Sequence, residues 1–212
     1  MMRANKQKKS ATSGSIRIIA GHHRGRKLPV LESPGLRPTT DRTKETLFNW
    51  LMHDIQDAVC VDGFAGTGSL GFEALSRGAS FVYFIEKSAP VTQQIKHNIN
   101  TLQLQPKSSV LTQAFADAAA TLQQQLAHSG RSMDIVLLDP PFQQGLLIPS
   151  LCRLIELKLI THDSLIYIEC ESALTLNHIN TALKQQFGKV SINAIKKQLT
   201  GGFMYGLFQL NA

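Results

Sequence analysis

From Ala58 onward, the sequence alternates short apolar runs with longer amphipathic segments. The run Ile135–Leu138 is too short for a helix and suits a buried strand, whereas Ala89–Leu102 has the length and spacing of a helix. Such alternation requires crossover connections, so it predicts an α/β fold with a mostly parallel sheet covered by helices on both faces. Gly201 and Gly202 separate the last two predicted strands, and we expect that pair to be antiparallel.

The chain divides into three regions of different character. Residues 1–14 are rich in Lys, Ser and Ala and are predicted to form a disordered basic tail. Residues 15–57 are predicted to form a small N-terminal extension. It consists of a β-hairpin with strands Ser15–Ala20 and Lys27–Leu31, followed by a helix that starts at the threonine pair 39–40 and runs to about Asp54. Residues 58–212 are predicted to form the main α/β domain.

Basic charge is concentrated in the N-terminal quarter of the chain. Residues 1–50 contain 11 Lys or Arg against 3 Asp or Glu, and residues 51–212 contain 11 against 12. A local basic excess is typical of a protein that binds a polyanion, most often nucleic acid. Because the charges within 17–44 interleave with structured sequence, we expect that region to bind nucleic acid.

Several classes of protein are disfavoured by composition. No apolar run reaches the roughly 20 residues of a membrane span, and the N-terminal residues do not resemble a signal peptide. The cysteines Cys60, Cys152 and Cys170 lack metal-ligand spacing. We therefore expect a cytoplasmic protein with reduced, buried cysteines, no bound metal and no membrane contact.

A strand, a glycine-rich turn and a helix start follow one another from Val59. Gly66, Gly68 and Gly71 fit the dinucleotide-binding pattern, and Glu86 follows at the distance of the acid that binds ribose hydroxyls. The carboxylate of Asp62, directly before the glycines, would repel a pyrophosphate but would suit a cation such as the ammonium of a methionine moiety. These features favour S-adenosylmethionine over NAD.

A second motif, Asp139-Pro140-Pro141-Phe142, ends a predicted buried strand. The two prolines fix the backbone and lack N–H donors, so the carbonyl oxygens of the turn can accept hydrogen bonds. Together with the carboxylate and the aromatic ring, such a turn can hold a planar group that carries an NH2. Because parallel strands end at one edge of a sheet, we expect this turn to lie beside Asp62 and Glu86.

These motifs resemble those of class I S-adenosylmethionine-dependent methyltransferases, and the chain is most similar to the RsmD family of bacterial 16S rRNA guanine-N2 methyltransferases. The similarity rests on the cofactor loop and on the segments 16–21, 24–29, 33–41, 45–51, 73–77 and 139–147. It implies a seven-stranded Rossmann-like methyltransferase sheet with a small N-terminal extension. It also implies methylation of the N2 amine of a specific guanine in 16S rRNA, with the small (30S) ribosomal subunit as partner and the enzyme as a monomer.

The resemblance and the motifs together assign residues to three roles. The predicted catalytic residues are Asp139, Pro140, Pro141 and Phe142. The predicted cofactor-binding residues are Asp62, Gly63, Phe64, Ala65, Gly66, Thr67, Gly68, Glu86, Lys87, Gln113, Ala114 and Asp139, with Gln113-Ala114 standing where the family usually has Asn-Ala or Asp-Ala. The predicted RNA-binding residues are Arg17, Arg24, Arg26, Lys27, Arg37 and Arg42.

Three other functions explain part of the sequence. A methyltransferase acting on adenine in DNA or RNA would have the same catalytic turn, but not the N-terminal segments of the RsmD family. An NAD-dependent oxidoreductase would explain the glycines and Glu86, but not Asp62. A non-catalytic ribosome assembly factor would explain the charge asymmetry, but would not need both a cofactor loop and a catalytic turn.

Overall fold

In a computed structural model, which describes residues 12–31 and 40–211, the strands form a two-stranded and a seven-stranded sheet. In chain order the strands are β1 (Thr12–Arg17), β2 (Lys27–Leu31), β3 (Val59–Asp62), β4 (Phe81–Ile85), β5 (Ser108–Leu111), β6 (Ile135–Leu138), β7 (Leu165–Glu171), β8 (Ser191–Thr200) and β9 (Phe203–Asn211). The large sheet has the order β5-β4-β3-β6-β7-β9-β8. Strands β3 to β7 are parallel and β9 is antiparallel to both of its neighbours, which confirms the predicted fold class.

Helices cover both faces of the large sheet. They are α1 (Asp41–Trp50), α2 (Ser69–Ser76), α3 (Ala89–Leu102), α4 (Phe115–Ser129), α5 (Leu147–Glu156) and α6 (Leu176–Phe187). Buried side chains of α1, α2, α3 and the β1–β2 hairpin pack on one face, and those of α4, α5 and α6 pack on the other. The N-terminal hairpin and α1 therefore supply part of the apolar cover of the sheet. Within the described residues, no helix is long and apolar enough to cross a membrane.

The hairpin is present, but its first strand is displaced from the prediction. Strand β1 starts at Thr12, inside the predicted disordered tail, and ends at Arg17 rather than at Ala20. The remainder of that tail, residues 1–11, lies outside the described residues. The strand ends early because the backbone N–H groups of Ile19 and Ala20 donate to a side chain and not to strand β2.

That side chain is the carboxylate of Glu73, on helix α2, which is completely buried. Its two oxygens accept hydrogen bonds from the backbone N–H of Ile19 (2.8 Å) and of Ala20 (3.0 Å), and Arg77 Nε donates to it at 2.7 Å. Gly21, next in the chain, has a φ of +79°, and a Cβ there would lie 1.8 Å from the carbonyl oxygen of Ser76. The hairpin thus lies directly against helix α2, in a contact that only glycine permits.

Helix α1 is capped by Thr40, whose hydroxyl accepts from the backbone N–H of Thr43. The helix ends at Trp50, four residues before the predicted end, because the chain turns at Leu51. Unlike its basic neighbour Arg42, Lys44 on this helix is not exposed. Its side chain is buried, and Nζ donates to the carbonyl oxygen of Arg17 (2.7 Å) and to Ser69 Oγ (3.0 Å).

Lys44 therefore joins three elements: helix α1, the hairpin and the first residue of α2. Burial lowers the pKa of Lys44, while the carboxylates of Glu73 and Asp41 act in the opposite direction. A buried cation is stable only where acceptors and opposite charges replace water. The two oxygens that Nζ contacts and the nearby carboxylates meet that need.

We expect Glu73→Gln to lower the free energy of unfolding by about 1–3 kcal/mol, because an amide offers one acceptor oxygen where three donors converge. Urea unfolding monitored by circular dichroism measures this difference. The matched control is Glu45→Gln, which removes the same charge from an exposed position on α1. Equal stability of the two variants would show that Glu73 does not hold the hairpin in place.

Candidate active site

A cavity of about 530 Å³ lies at the carboxyl ends of β3, β4 and β6. From β3 the chain continues to β4 and β5 on one side of the sheet, and it then crosses to β6 and β7 on the other side of β3. Proteins with α/β folds bind ligands at such a switch point. The predicted cofactor-binding and catalytic residues that line the cavity are Asp62, Gly63, Phe64, Ala65, Gly66, Thr67, Glu86, Lys87, Gln113, Ala114, Asp139, Pro140, Pro141 and Phe142. Gly68 does not line the cavity; it is the N-cap of α2.

Asp62 is buried at the end of β3. Its Oδ2 accepts a hydrogen bond from the backbone N–H of Gly71 at 3.0 Å. The N-cap Gly68 has no side chain to accept this bond, so Asp62 satisfies the first turn of α2 from across the glycine loop. Burial raises the pKa of Asp62 to about 7, the Gly71 N–H opposes the increase, and the Glu86 carboxylate adds to it.

The glycine at position 71 has a packing role. A Cβ there would lie 2.2 Å from the ring of Phe84, on the adjacent strand β4. Glycine therefore lets helix α2 approach the sheet closely and brings its first turn within reach of Asp62. Gly71, the third glycine of the dinucleotide-binding pattern, therefore allows close packing of α2 on the sheet and does not line the cavity.

Glu86 lies directly after β4, beside the glycine loop. Its Oε2 accepts from the Gly66 N–H at 3.1 Å and its Oε1 from the Ser88 N–H at 2.7 Å. Each carboxylate oxygen has a second lone pair, so the same group can also accept from the hydroxyls of a ribose. The two backbone donors fix the orientation in which it would do so.

Residues that follow β5 form another wall of the cavity. Gln113 and Ala114 are exposed at its mouth, and Ala114 is the N-cap of α4. Behind them, the ring of Phe115 stacks on that of Phe64 with centroids 5.4 Å apart. An apolar wall with an amide at its rim suits a flat heteroaromatic ring that carries an amine. Together with the carboxylates of Asp62 and Glu86, this wall fits the adenine, ribose and ammonium of S-adenosylmethionine.

The catalytic turn follows β6 on the far side of the cavity. Asp139 and Phe142 are half-buried and Pro140 is buried. The ring of Phe142 lies 6.2 Å from that of Phe203, which begins a row of aromatic rings that continues through Tyr205 to Trp50 on α1. The ring of Phe142 therefore packs against β9, and the row of rings connects it to the N-terminal extension.

Among the cavity residues that were not predicted from the sequence, the charged one is Glu169, near the end of β7. It is buried, and Tyr167 Oη donates to its Oε2 at 3.0 Å. The signal that identified Asp62 and Asp139, an acid at the end of an apolar strand, is also present here. It was overlooked because no glycine or proline motif follows Glu169.

The predicted RNA-binding residues are not gathered at the cavity. Arg17, Arg24, Arg26, Lys27 and Arg42 are exposed, and Arg37 lies outside the described residues. Arg17 is next to the start of α2, through the contact of its carbonyl oxygen with Lys44, whereas the hairpin turn contacts Ser76 at the opposite end of α2. The turn is thus separated from the cavity by roughly 12 Å, the length of an eight-residue helix.

The three cysteines are buried and unpaired, and burial raises the pKa of each thiol. A protonated, buried thiol is a poor nucleophile. Among residues 12–31 and 40–211, no three His, Cys, Asp or Glu side chains are grouped so that they could hold a metal ion. None of the three cysteines lines the cavity.

Residues 16–196 match the model of the family described as Conserved hypothetical protein 95. A relative from Haemophilus influenzae, ribosomal RNA small subunit methyltransferase D, is 43% identical over 197 residues, which cover 92% of this chain and 94% of the relative. The protein of the same name from Escherichia coli K12 is 48% identical over 159 residues, covering 75% of this chain and 76% of the relative.

Solved structures show the same architecture. A methyltransferase from Escherichia coli has a TM-score of 0.76 and 36% identity, and the alignment covers 92% of this chain and 98% of that chain. A more distant methyltransferase, SMU.776, was solved in complex with SAH and shares the fold at 14% identity and a TM-score of 0.63, over 86% of this chain and 53% of that chain. By its match to the family model and its identity to these relatives, the chain belongs to the RsmD family of methyltransferases.

Proposed function

We propose that this protein methylates the exocyclic N2 amine of a specific guanine in 16S rRNA, with S-adenosylmethionine as the cofactor. The observation that carries the proposal is that the Asp139–Phe142 turn lines the same cavity as the Asp62–Gly66 loop and Glu86. A methyl donor held by the loop would therefore face an amine held by the turn. The small subunit rRNA methyltransferases at 43% and 48% identity support 16S rRNA as the substrate.

S-Adenosylmethionine, when bound, supplies a methyl group on a positively charged sulfur that an amine can attack in line. Asp62 would pair with the ammonium of the cofactor, Glu86 with the ribose hydroxyls and Gln113 with the adenine. The two carboxylates also give the cavity a negative potential that suits a cationic ligand. Burial of Asp62 strengthens this pairing, because water screens the charges less.

The catalytic turn would position the guanine. We expect the base to leave its RNA stack and lie against Phe142, as bases do in enzymes that modify them. The carboxylate of Asp139 and the carbonyl oxygen of Pro140 would accept hydrogen bonds from the N2 amine. These two acceptors would favour a pyramidal nitrogen whose lone pair points at the methyl group, and Asp139 would accept the proton after transfer. Positioning and electrostatics would supply the rate enhancement.

The substrate is proposed to be the small (30S) ribosomal subunit in the cytoplasm, with the enzyme acting as a monomer. In this proposal residues 15–57 form an RNA-binding extension of the catalytic domain 58–212. The exposed Arg17, Arg24, Arg26, Lys27 and Arg42, and Arg37 outside the described residues, would contact phosphates. Such contacts orient the RNA without reading its sequence.

The test of the proposal is to incubate the protein with labelled S-adenosylmethionine and small subunits from a strain that lacks the corresponding enzyme. Nucleosides are then separated, and the label is assigned. We expect label in N2-methylguanosine, and none when the subunits come from a strain that already carries the modification. Label in N6-methyladenosine, or no label while S-adenosylhomocysteine still binds, would refute the proposed substrate.

We expect Asp139→Ala to lower the methyl-transfer rate by about 100- to 1,000-fold, the usual cost of removing one electrostatic contact to a transition state. Calorimetric binding of S-adenosylhomocysteine should weaken by no more than a few-fold, because Asp62, Glu86 and Gln113 provide the main contacts to the cofactor in this proposal. Asp139→Asn is the matched control, because it keeps an acceptor oxygen but cannot take a proton at neutral pH. Wild-type turnover in Asp139→Ala would remove this residue from the mechanism.

The affinity for S-adenosylhomocysteine should depend on pH through Asp62. Its raised pKa of about 7 means that the carboxyl is mostly protonated at pH 6 in the cofactor-free protein, whereas pairing with an ammonium requires the charged form. Affinity should therefore rise with pH up to about 7, by at most roughly tenfold per pH unit, and then level off. Isothermal titration calorimetry between pH 5.5 and 8.5 measures this profile.

The control for that profile is Asp62→Asn, which keeps an acceptor oxygen for the Gly71 N–H but cannot ionise. Its affinity should be lower at pH 8 and should lose the pH-dependent component of the wild-type profile. If both proteins show the same pH profile, Asp62 does not pair with the ammonium.

Arg24→Ala combined with Arg26→Ala should weaken binding to the small subunit and reduce its dependence on salt. Each lost phosphate contact lowers the slope of log affinity against log salt by about 0.7–0.9. The matched control is Lys184→Ala combined with Lys189→Ala, which removes two exposed charges on or just beyond α6, on the opposite face of the sheet. Equal salt slopes for the two double variants would exclude the hairpin from RNA binding.

A further inference from the structure

Glu169 lies on β7, and Asp139 directly follows the adjacent strand β6. The two strands pair in parallel with Leu138 opposite Ile168, so Asp139 leaves the end of β6 at the level of Glu169. Residues in register point to the same face of a sheet, and adjacent strands are about 4.8 Å apart. Both residues line the cavity. The site proposed for the base thus has two carboxylates side by side.

The carboxylate of Glu169 is held in one orientation. Tyr167, two residues earlier on the same face of β7, is completely buried, and its Oη donates to Glu169 Oε2 at 3.0 Å. Burial raises the pKa of Tyr167, and the nearby carboxylates of Glu169 and Asp139 raise it further, so the phenol stays protonated and remains a donor. Burying a carboxylate costs free energy unless polar partners compensate, and this cost makes a functional role worth testing.

The chemistry of guanine matches this pair of acceptors. On its Watson–Crick edge, guanine carries two adjacent donors, the N1–H and the N2 amine. Adenine instead has a lone pair at N1, which a carboxylate would repel. An enzyme that reads a flipped base does so through this edge. Two adjacent carboxylates therefore suit guanine and disfavour adenine.

We propose that Glu169 selects guanine, by accepting a hydrogen bond from the N1–H of the base whose N2 amine faces Asp139. This inference rests on the proposed function and adds the residue that determines base specificity. Sites that are built to pair with a donor reject analogues that lack it, because the hydrogen bond from the base to the carboxylate is then lost. If Glu169 served only to accept the hydrogen bond from Tyr167, replacing it would not change which base the enzyme prefers.

The first test needs no mutation. After the methylated guanine is mapped, 16S rRNA is ligated with guanine, 2-aminopurine or 2,6-diaminopurine at that position and assembled into small subunits. Both analogues keep the N2 amine and lack the N1–H, and they differ from each other at position 6. We expect kcat/KM to be about 10–100-fold lower for both analogues, the usual contribution of a hydrogen bond to a charged group. Equal kcat/KM for guanine and the analogues would overturn the assignment.

The second test changes the residue. The amide of Glu169→Gln can donate to the bare N1 of either analogue, so the ratio of kcat/KM for analogue to that for guanine should rise at least about tenfold over wild type. Tyr167→Phe is the matched control, because it removes the hydroxyl that orients Glu169 but keeps the carboxylate, and its ratio should stay at the wild-type value. An unchanged ratio in folded Glu169→Gln, verified by circular dichroism and S-adenosylhomocysteine binding, would overturn the assignment.

The experiments distinguish a failure of the proposed function from a failure of the role proposed for Glu169. If wild-type enzyme places no label in N2-methylguanosine, the proposed function is wrong and the role of Glu169 is wrong with it. If N2-methylguanosine forms and the analogues react as well as guanine, only the role of Glu169 is wrong. Should Glu169→Gln not fold, the wild-type comparison of the three bases still decides.

Discussion

The hydrogen bonds that the buried Glu73 carboxylate accepts from Ile19 and Ala20 are the contact on which the arrangement of the whole molecule depends. They fix the N-terminal hairpin to helix α2, and the glycine loop leads directly into the first turn of that helix. Lys44 completes the connection by joining α1, the hairpin and Ser69. In the interior these polar contacts have few alternative partners, so they define one relative position for the elements. The surface proposed for RNA and the loop proposed for the cofactor are therefore parts of one structure.

Acidic side chains of the cavity and basic side chains of the N-terminal extension lie in two separate zones. Asp62, Glu86, Asp139 and Glu169 all lie at or just after the carboxyl ends of parallel strands and line one cavity. The exposed basic residues proposed to bind RNA lie on the hairpin and on α1. A negative cavity suits a cationic methyl donor, and a positive outer surface suits a polyanionic substrate. The fold can satisfy both because the strand ends converge, while the extension covers one face of the sheet.

The aromatic rings connect the catalytic turn to the rest of the fold. Phe142 is followed by Phe203, Tyr205 and Trp50, with ring centroids about 6 Å apart. These residues come from the turn, from β9 and from α1, which are far apart in sequence. The row connects α1 to the predicted catalytic turn, because Trp50 packs on Tyr205 of β9 and Phe203 of β9 lies beside Phe142.

The sequence by itself determined the order and type of the elements from β3 onward, because apolar runs and amphipathic segments have different lengths and periods. It also predicted the cavity residues from Asp62 to Phe142, because their roles depend on short motifs at strand ends. Only the tertiary structure decided that Lys44 is buried, that β1 ends at Arg17 and that Glu169 joins Asp139. Each of these depends on partners more than 20 residues away, which a local pattern does not contain.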